Sequence, residues 1–198
     1  MNKTIGIFGG GQLGRMMAQA ALPLNLQCTF FEAETNCPAA ILGSVFSSKN
    51  EQGLQDFIAS ADVFSLEFEN TPVADVDVLT QTKTLHPPRL ALATAQNRLA
   101  EKALFDQLAI PVAPYRAVDS LESLKQAVAE LGLPIVLKTV TGGYDGKGQF
   151  VLRSEDQIDT AWAELGPAKS LIAESFVKFS REVSIIAVRG QNGDVKTW

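Results

Sequence analysis

Short apolar runs and amphipathic stretches alternate along the first third of the chain. Residues 5–8, Ile-Gly-Ile-Phe, form a run of the kind buried within a parallel sheet. They meet a glycine-rich turn, after which residues 15–22 carry helical spacing until Pro23 ends it. A second strand is expected over 27–31, ending at Glu32, and a strand over 63–68. A weak helical signal covers 39–42 and a stronger one 54–60. Strands and helices alternating at this spacing predict βαβ units and a parallel sheet. Thr84-Leu85-His86-Pro87-Pro88 then reads as a connection, because paired prolines end a strand.

From 91 to 108 apolar residues three and four apart predict a helix, and Pro111 and Pro114 mark a boundary after it. Residues 121–131 are amphipathic, with Gly132 suited to cap them. A β-rich region follows over 135–139, 148–152, 170–174 and 182–189, with a helix over 156–165 among the strands. Gln191-Asn192-Gly193 predicts a turn and 194–198 the start of a return strand. The expected architecture is α/β: a Rossmann-like parallel-sheet domain over 1–92, then an α+β domain over 93–198.

Composition narrows the function classes. A net charge of -5 over 198 residues argues against non-specific nucleic-acid binding, which needs a cationic surface. No apolar run approaches the roughly 20 residues that span a bilayer. The apolar stretch at the N-terminus is too short for a signal peptide. Cys28 and Cys37 are the only cysteines and form no ligand cluster, which argues against structural zinc. A reducing cytoplasm is the default expectation.

Two glycine loops carry the candidate chemistry. Gly9-x-Gly11-x-x-Gly14 joins a strand to a helix, with Glu32 at the end of the next strand. That spacing fits a dinucleotide fingerprint. It equally fits a tight turn with no ligand, or a helix N-terminus that attracts the phosphate of another substrate. The second loop, Gly143-Tyr144-Asp145-Gly146-Lys147-Gly148-Gln149, follows Lys138 on an apolar strand. It is not a Walker A loop, since Gly148 follows Lys147 where Ser or Thr should hold magnesium, and it leads into a strand. What remains is a glycine-rich hairpin with one cation, fed by a strand bearing another. Such a pair can fold over a polyphosphate, each charge-assisted contact being worth roughly 1.5–3 kcal/mol. An ordinary exposed hairpin is the bland alternative. Glu174-Ser175-Phe176-Val177 at a strand end, followed by Glu182, can serve an adenine edge and a ribose hydroxyl, or be merely solvated.

Together these segments resemble the N5-carboxyaminoimidazole ribonucleotide synthetase family of the ATP-grasp superfamily. The resemblance rests on 9–16 (Gly-Gly-Gly-Gln-Leu-Gly-Arg-Met), Glu67-Phe68-Glu69-Asn70, Arg98 with its helix, Lys138, 142–149 and 174–184. It implies a pre-ATP-grasp domain followed by an ATP-grasp lid domain, with the lid subdomain at about 112–182. It also implies carboxylation of 5-aminoimidazole ribonucleotide with bicarbonate, ATP being split to ADP and phosphate. Arg98 and Lys138 would contact ATP phosphates, and Gly143, Gly146, Lys147, Gly148 and Gln149 would cover them. Glu174, Ser175, Phe176 and Val177 would face the adenine, and Glu182 the ribose. Tyr144 and Asp145 would face both ATP and the aminoimidazole. Lys138, Tyr144, Asp145 and Lys147 are the candidate catalytic residues. Gly11, Gln12, Leu13 and Glu67 would line the ribonucleotide pocket, with Glu69 in reserve for Glu67. Thr139 and Val140 stand where the family often has a further basic residue. The resemblance also implies magnesium and a homodimer.

The family is longer than this chain, and its metal ligands are expected beyond residue 198. The C-terminal part of the ATP-grasp fold is therefore expected to be absent and the 198-residue chain inactive alone. Residues 182–198 are expected to be disordered, self-associated or partnered. A biotin-carboxylase-like or formate-using ATP-grasp ligase, a non-catalytic nucleotide-binding module and an NAD-dependent oxidoreductase are the competing readings. The Tyr144-Asp145 pair favours the aminoimidazole enzyme over the other two ligases.

Overall fold

The computed structural model describes residues 3–143, 148–166 and 170–198. β1 (Thr4–Phe8) runs through the first glycine turn into α1 (Gln12–Ala21) and returns as β2 (Gln27–Glu32), parallel to β1 with Phe8 opposite Phe31. β3 (Gly43–Ser47), α2 (Gly53–Ala59), β4 (Val63–Leu66), α3 (Val73–Leu79) and β5 (Thr84–Leu85) follow. The five strands form a sheet of order β3-β2-β1-β4-β5, parallel throughout. Alternate residues of β1 point to opposite faces, so Ile7 and Phe8 enter different cores. Phe8, Phe31, Phe57 and Phe64 fill one of them, with the buried Phe57 ring stacked on Phe31 at 5.4 Å and edge-on to Phe8 and Phe64 at 5.1 Å. Ile7, Ala18, Cys28 and Phe30 fill the other, beneath α1.

α4 (Arg89–Ala95) and α5 (Arg98–Gln107) lead to a second sheet made of β6 (Tyr115–Val118), β7 (Ile135–Thr139), β8 (Gln149–Leu152) and β9 (Leu171–Ser175). Its order is β6-β9-β7-β8, and every pairing is antiparallel. α6 (Leu121–Leu131) and α7 (Ile158–Leu165) cover one face, over a core of Leu124, Val128, Ile135, Leu137, Leu152, Leu171 and Ala173. β10 (Ala187–Arg189) and β11 (Val195–Thr197) form an exposed hairpin, and Gln191 at its turn meets the His86 ring at 3.2 Å.

Several expectations need correction. Residues 39–42 form turns and not a helix, and the strand they lead into, β3, carried no strong sequence signal. The strand expected over 63–68 leaves the sheet after Leu66. The helix expected over 91–108 is two, because the Asn97 side chain accepts from the amides of Leu99 and Ala100 and starts α5 anew. Of 182–189, only 187–189 are strand. α3 and β6 were not anticipated, and Thr84-Leu85, expected as a connection, is a short edge strand.

Candidate functional site

The first glycine loop lies where the strand order reverses, at the carboxyl ends of β1 and β4, which is where open parallel sheets form their crevice. Glu67 follows β4 directly, and its amide donates to the Phe8 carbonyl. Its carboxylate turns into the loop and accepts from the Gly11 amide at 2.7 Å. Glu32, at the end of β2, accepts from the Gly10 amide at 3.0 Å and from Ala33 at 2.7 Å. Two amides that would serve a pyrophosphate thus already hold carboxylates of the chain itself. This geometry removes the support for NAD: Glu32 serves the loop backbone and is not left open for a ribose. Gln12 and Leu13 are exposed on the first turn of α1, beside this loop.

The second loop is built from its base. Arg98 opens α5, and its guanidinium donates to the carbonyls of Thr139 (2.9 Å), Gly142 (2.6 Å) and Gly143 (3.3 Å), where β7 gives way to the loop. Its backbone amide donates to Val140. Arg98 therefore clamps the loop's entry, and the resemblance had it contacting phosphates. Across the loop, Gly148 accepts from the Thr139 amide at 2.9 Å, and Gln149 lies opposite Lys138. Tyr144, Asp145, Gly146 and Lys147 lie outside the described residues.

Lys138 sits on the face of β7 opposite the core, because Ile135, Leu137 and Thr139 take the buried side. Glu174 on β9 is its diagonal neighbour, one strand over. Lys138 Nζ lies 3.2 Å from Glu174 Oε2, and Lys102 Nζ, from α5, lies 3.3 Å from the same oxygen. Glu174 is buried, and two ammonium groups around it offset the cost of taking a carboxylate from water. The trio keeps one net positive charge. Tyr115, opposite Glu174 on β6, donates its hydroxyl to Asp106 at 2.7 Å, and that hydrogen bond raises the phenol above its usual pKa. Sequence reasoning missed Lys102. Its position one helical turn after Arg98 was the available signal, since residues four apart share a helix face.

Beyond β9 the Phe176 amide donates to Pro134, and the Phe176 ring carries the Arg153 guanidinium at 5.7 Å. Ser175 donates its amide to Pro114, Val177 is half exposed, and Glu182 is exposed on the segment before β10. Between the two sheets a cleft of about 200 Å³ is lined by Glu69, Gln96, Arg98, Gly142 and Gly143. The structure thus joins Arg98 to the second loop and Lys138 to Glu174, and joins Glu67 to the first loop. It places Glu69, and not Glu67, beside Arg98. Among the described residues no three His, Cys, Asp or Glu side chains gather into a metal-holding group. No helix among them is long and apolar enough to cross a membrane.

Residues 1–96 match the ribonucleotide synthetase preATP-grasp domain and residues 103–198 the ATP-grasp domain. The chain is 42% identical over 197 residues to an N5-carboxyaminoimidazole ribonucleotide synthase of Brucella melitensis, covering 97% of this chain and 54% of that protein. Among solved structures it is similar to an ADP complex of N5-carboxyaminoimidazole ribonucleotide synthetase, with TM-score 0.92 and 41% identity, covering 100% of this chain and 53% of that one. It is also similar to the Aspergillus clavatus N5-carboxyaminoimidazole synthase in complex with ADP and 5-aminoimidazole ribonucleotide, with TM-score 0.88 and 26% identity, covering 100% and 52%. The chain spans about half the length of these relatives. With a preATP-grasp domain leading into an ATP-grasp domain, and this similarity along its whole length, the chain belongs to the N5-carboxyaminoimidazole ribonucleotide synthase family.

Proposed function

We propose that the chain provides the nucleotide-binding portion of an ATP-dependent ligase of purine biosynthesis. The enzyme would phosphorylate bicarbonate to carboxyphosphate and carboxylate the exocyclic amine of 5-aminoimidazole ribonucleotide, releasing ADP and phosphate. Bicarbonate is a poor electrophile because its carbon carries a resonance-stabilised oxyanion. Phosphorylation converts one oxygen into a leaving group. Phosphoryl transfer of this kind asks the protein for positioning and charge neutralisation more than for covalent help.

The observation that carries the reading is the pairing of Lys138 with the loop beside it. An ammonium stands on the open face of β7, within a trio of net positive charge, and the strand runs directly into a glycine loop whose base Arg98 holds by three carbonyls. Lys138 would meet the phosphates and the loop would lie over them, with Tyr144, Asp145 and Lys147 as the loop's contributors to catalysis. Glu174 to Val177 would face the adenine and Glu182 the ribose. The complex of the Aspergillus clavatus relative with ADP and 5-aminoimidazole ribonucleotide supports the choice of both substrates. Gln12, Leu13 and the Glu67-braced first loop would then serve the ribonucleotide, with Glu69 reaching the cleft between the sheets.

The test is phosphate release from ATP, assayed with the chain at the full length of its relatives. Release that requires both bicarbonate and 5-aminoimidazole ribonucleotide is expected, and release indifferent to either would refute the reaction. On the chain itself, Lys138→Ala should weaken ATP binding by roughly 10-fold or more, since a charge-assisted contact is worth about 1.5–3 kcal/mol. Equal affinities in calorimetric titrations would remove the phosphate role of Lys138.

A further inference from the structure

Lys102 has no role assigned in the motifs above, yet it touches the same oxygen as Lys138. α5 projects Arg98 and Lys102 from one side, four residues apart. Arg98 takes the carbonyls at the loop base, and Lys102 reaches β9. The Lys102 and Glu174 side chains are 14% and 10% exposed, against 27% for Lys138. The helix-side ammonium is therefore sunk behind the carboxylate, and the strand-side ammonium is the one open to solvent.

Resting on the ATP reading, we infer that Lys102 is a positioning residue for the nucleotide polyphosphate. It anchors Glu174 from behind, so the shared oxygen stays at one point and Lys138 is aimed from it toward the loop. It also changes the charge that a ligand meets. With Lys102 in place, Glu174 is already compensated and the trio presents one net positive charge to an incoming polyanion. Without it, Lys138 and Glu174 form a neutral pair of their own, and a phosphate must compete with the carboxylate for the Lys138 ammonium. Lys102 touches no phosphate in this arrangement and acts entirely through Glu174.

The inference is tested by titrating ATP and adenosine against the chain and its variants. Lys102→Met should weaken ATP roughly 10-fold, in the range of coupling seen between residues of one ionic network. Adenosine, which lacks phosphates, should lose less affinity than ATP does on Lys102→Met, any loss reporting the Glu174 contact with the base. In a Glu174→Gln background, Lys102→Met should change ATP affinity by less than about 2-fold. Lys102→Arg should restore most of the ATP affinity by returning the cation. Should Lys102→Met not fold, Lys102→Gln carries the same comparisons. Equal loss of ATP and adenosine would show a merely structural lysine, and an equal loss with and without the Glu174 carboxylate would show that Lys102 does not act through it. Either result overturns the proposal. Loss in Lys138→Ala with none in Lys102→Met would overturn it while leaving the ATP reading intact. Unchanged affinity in both would overturn the two together.

Discussion

Gly9 holds φ at +103°, in the region that side-chain-bearing residues rarely adopt, and an added Cβ would lie 2.4 Å from Glu67 Oε2. Two constraints therefore meet at one residue, the turn from β1 into α1 and the carboxylate that occupies it. Gly9→Ala should destabilise the chain by about 1–3 kcal/mol, the cost of a strained backbone position. It should appear as a lower urea midpoint with an unchanged slope. A midpoint equal to the wild type would show that Glu67 withdraws freely and is not part of the loop. The glycine spacing was legible in the sequence because it is local. Its occupant was not, since Gly11 and Glu67 are 56 residues apart and only the parallel pairing of β1 with β4 brings them together. Lys138 and Glu174 were each legible as strand-end charges. Their contact depended on the β7–β9 register, and Lys102 entered only once α5 was set against the sheet.

At the scale of elements, boundaries depended on caps. α6 was legible because it is amphipathic and closed by Gly132, and Ser120 caps its start through the Ser123 amide. α4 and α5 merged in the sequence because apolar spacing continues across residues 95–97, and spacing alone gives no break. The break is Asn97, whose Oδ1 takes the amides of Leu99 and Ala100 at 3.0 Å each. Asn97→Ala should cost about 1 kcal/mol of stability, and Asn97→Ser should recover most of it. Equal unfolding midpoints for all three proteins would show that the helix start is set by packing and not by the cap. β3 escaped notice for another reason. It is a five-residue edge strand with only one neighbour, so none of its positions is fully buried and its sequence shows little alternation.

At the scale of the molecule, the two sheets keep separate cores, one built around Phe57 and the other around Leu137 and Leu171. Gln96, just before α5, ties the α4–α5 junction to the first unit, its side-chain amide donating to the carbonyls of Glu69 and Thr71 at 2.6 Å each. The nucleotide contacts proposed above lie on the second sheet and its helix α5, so ATP should stabilise that unit specifically. At 100 times its dissociation constant a ligand adds about 2.7 kcal/mol to the state that binds it. Phe57→Ala removes a ring in contact with four other phenylalanines and should cost the first unit about 3–5 kcal/mol. The two effects should be separable. In a thermal scan Phe57→Ala is expected to lower the unfolding of the first unit while leaving the ATP-induced rise of the second at its wild-type size. If the substitution abolishes the ATP response, the two sheets unfold as one cooperative body and the nucleotide site depends on both cores. If the response persists, the second sheet with α5 is sufficient to hold the triphosphate, and the first domain's contribution is confined to the ribonucleotide.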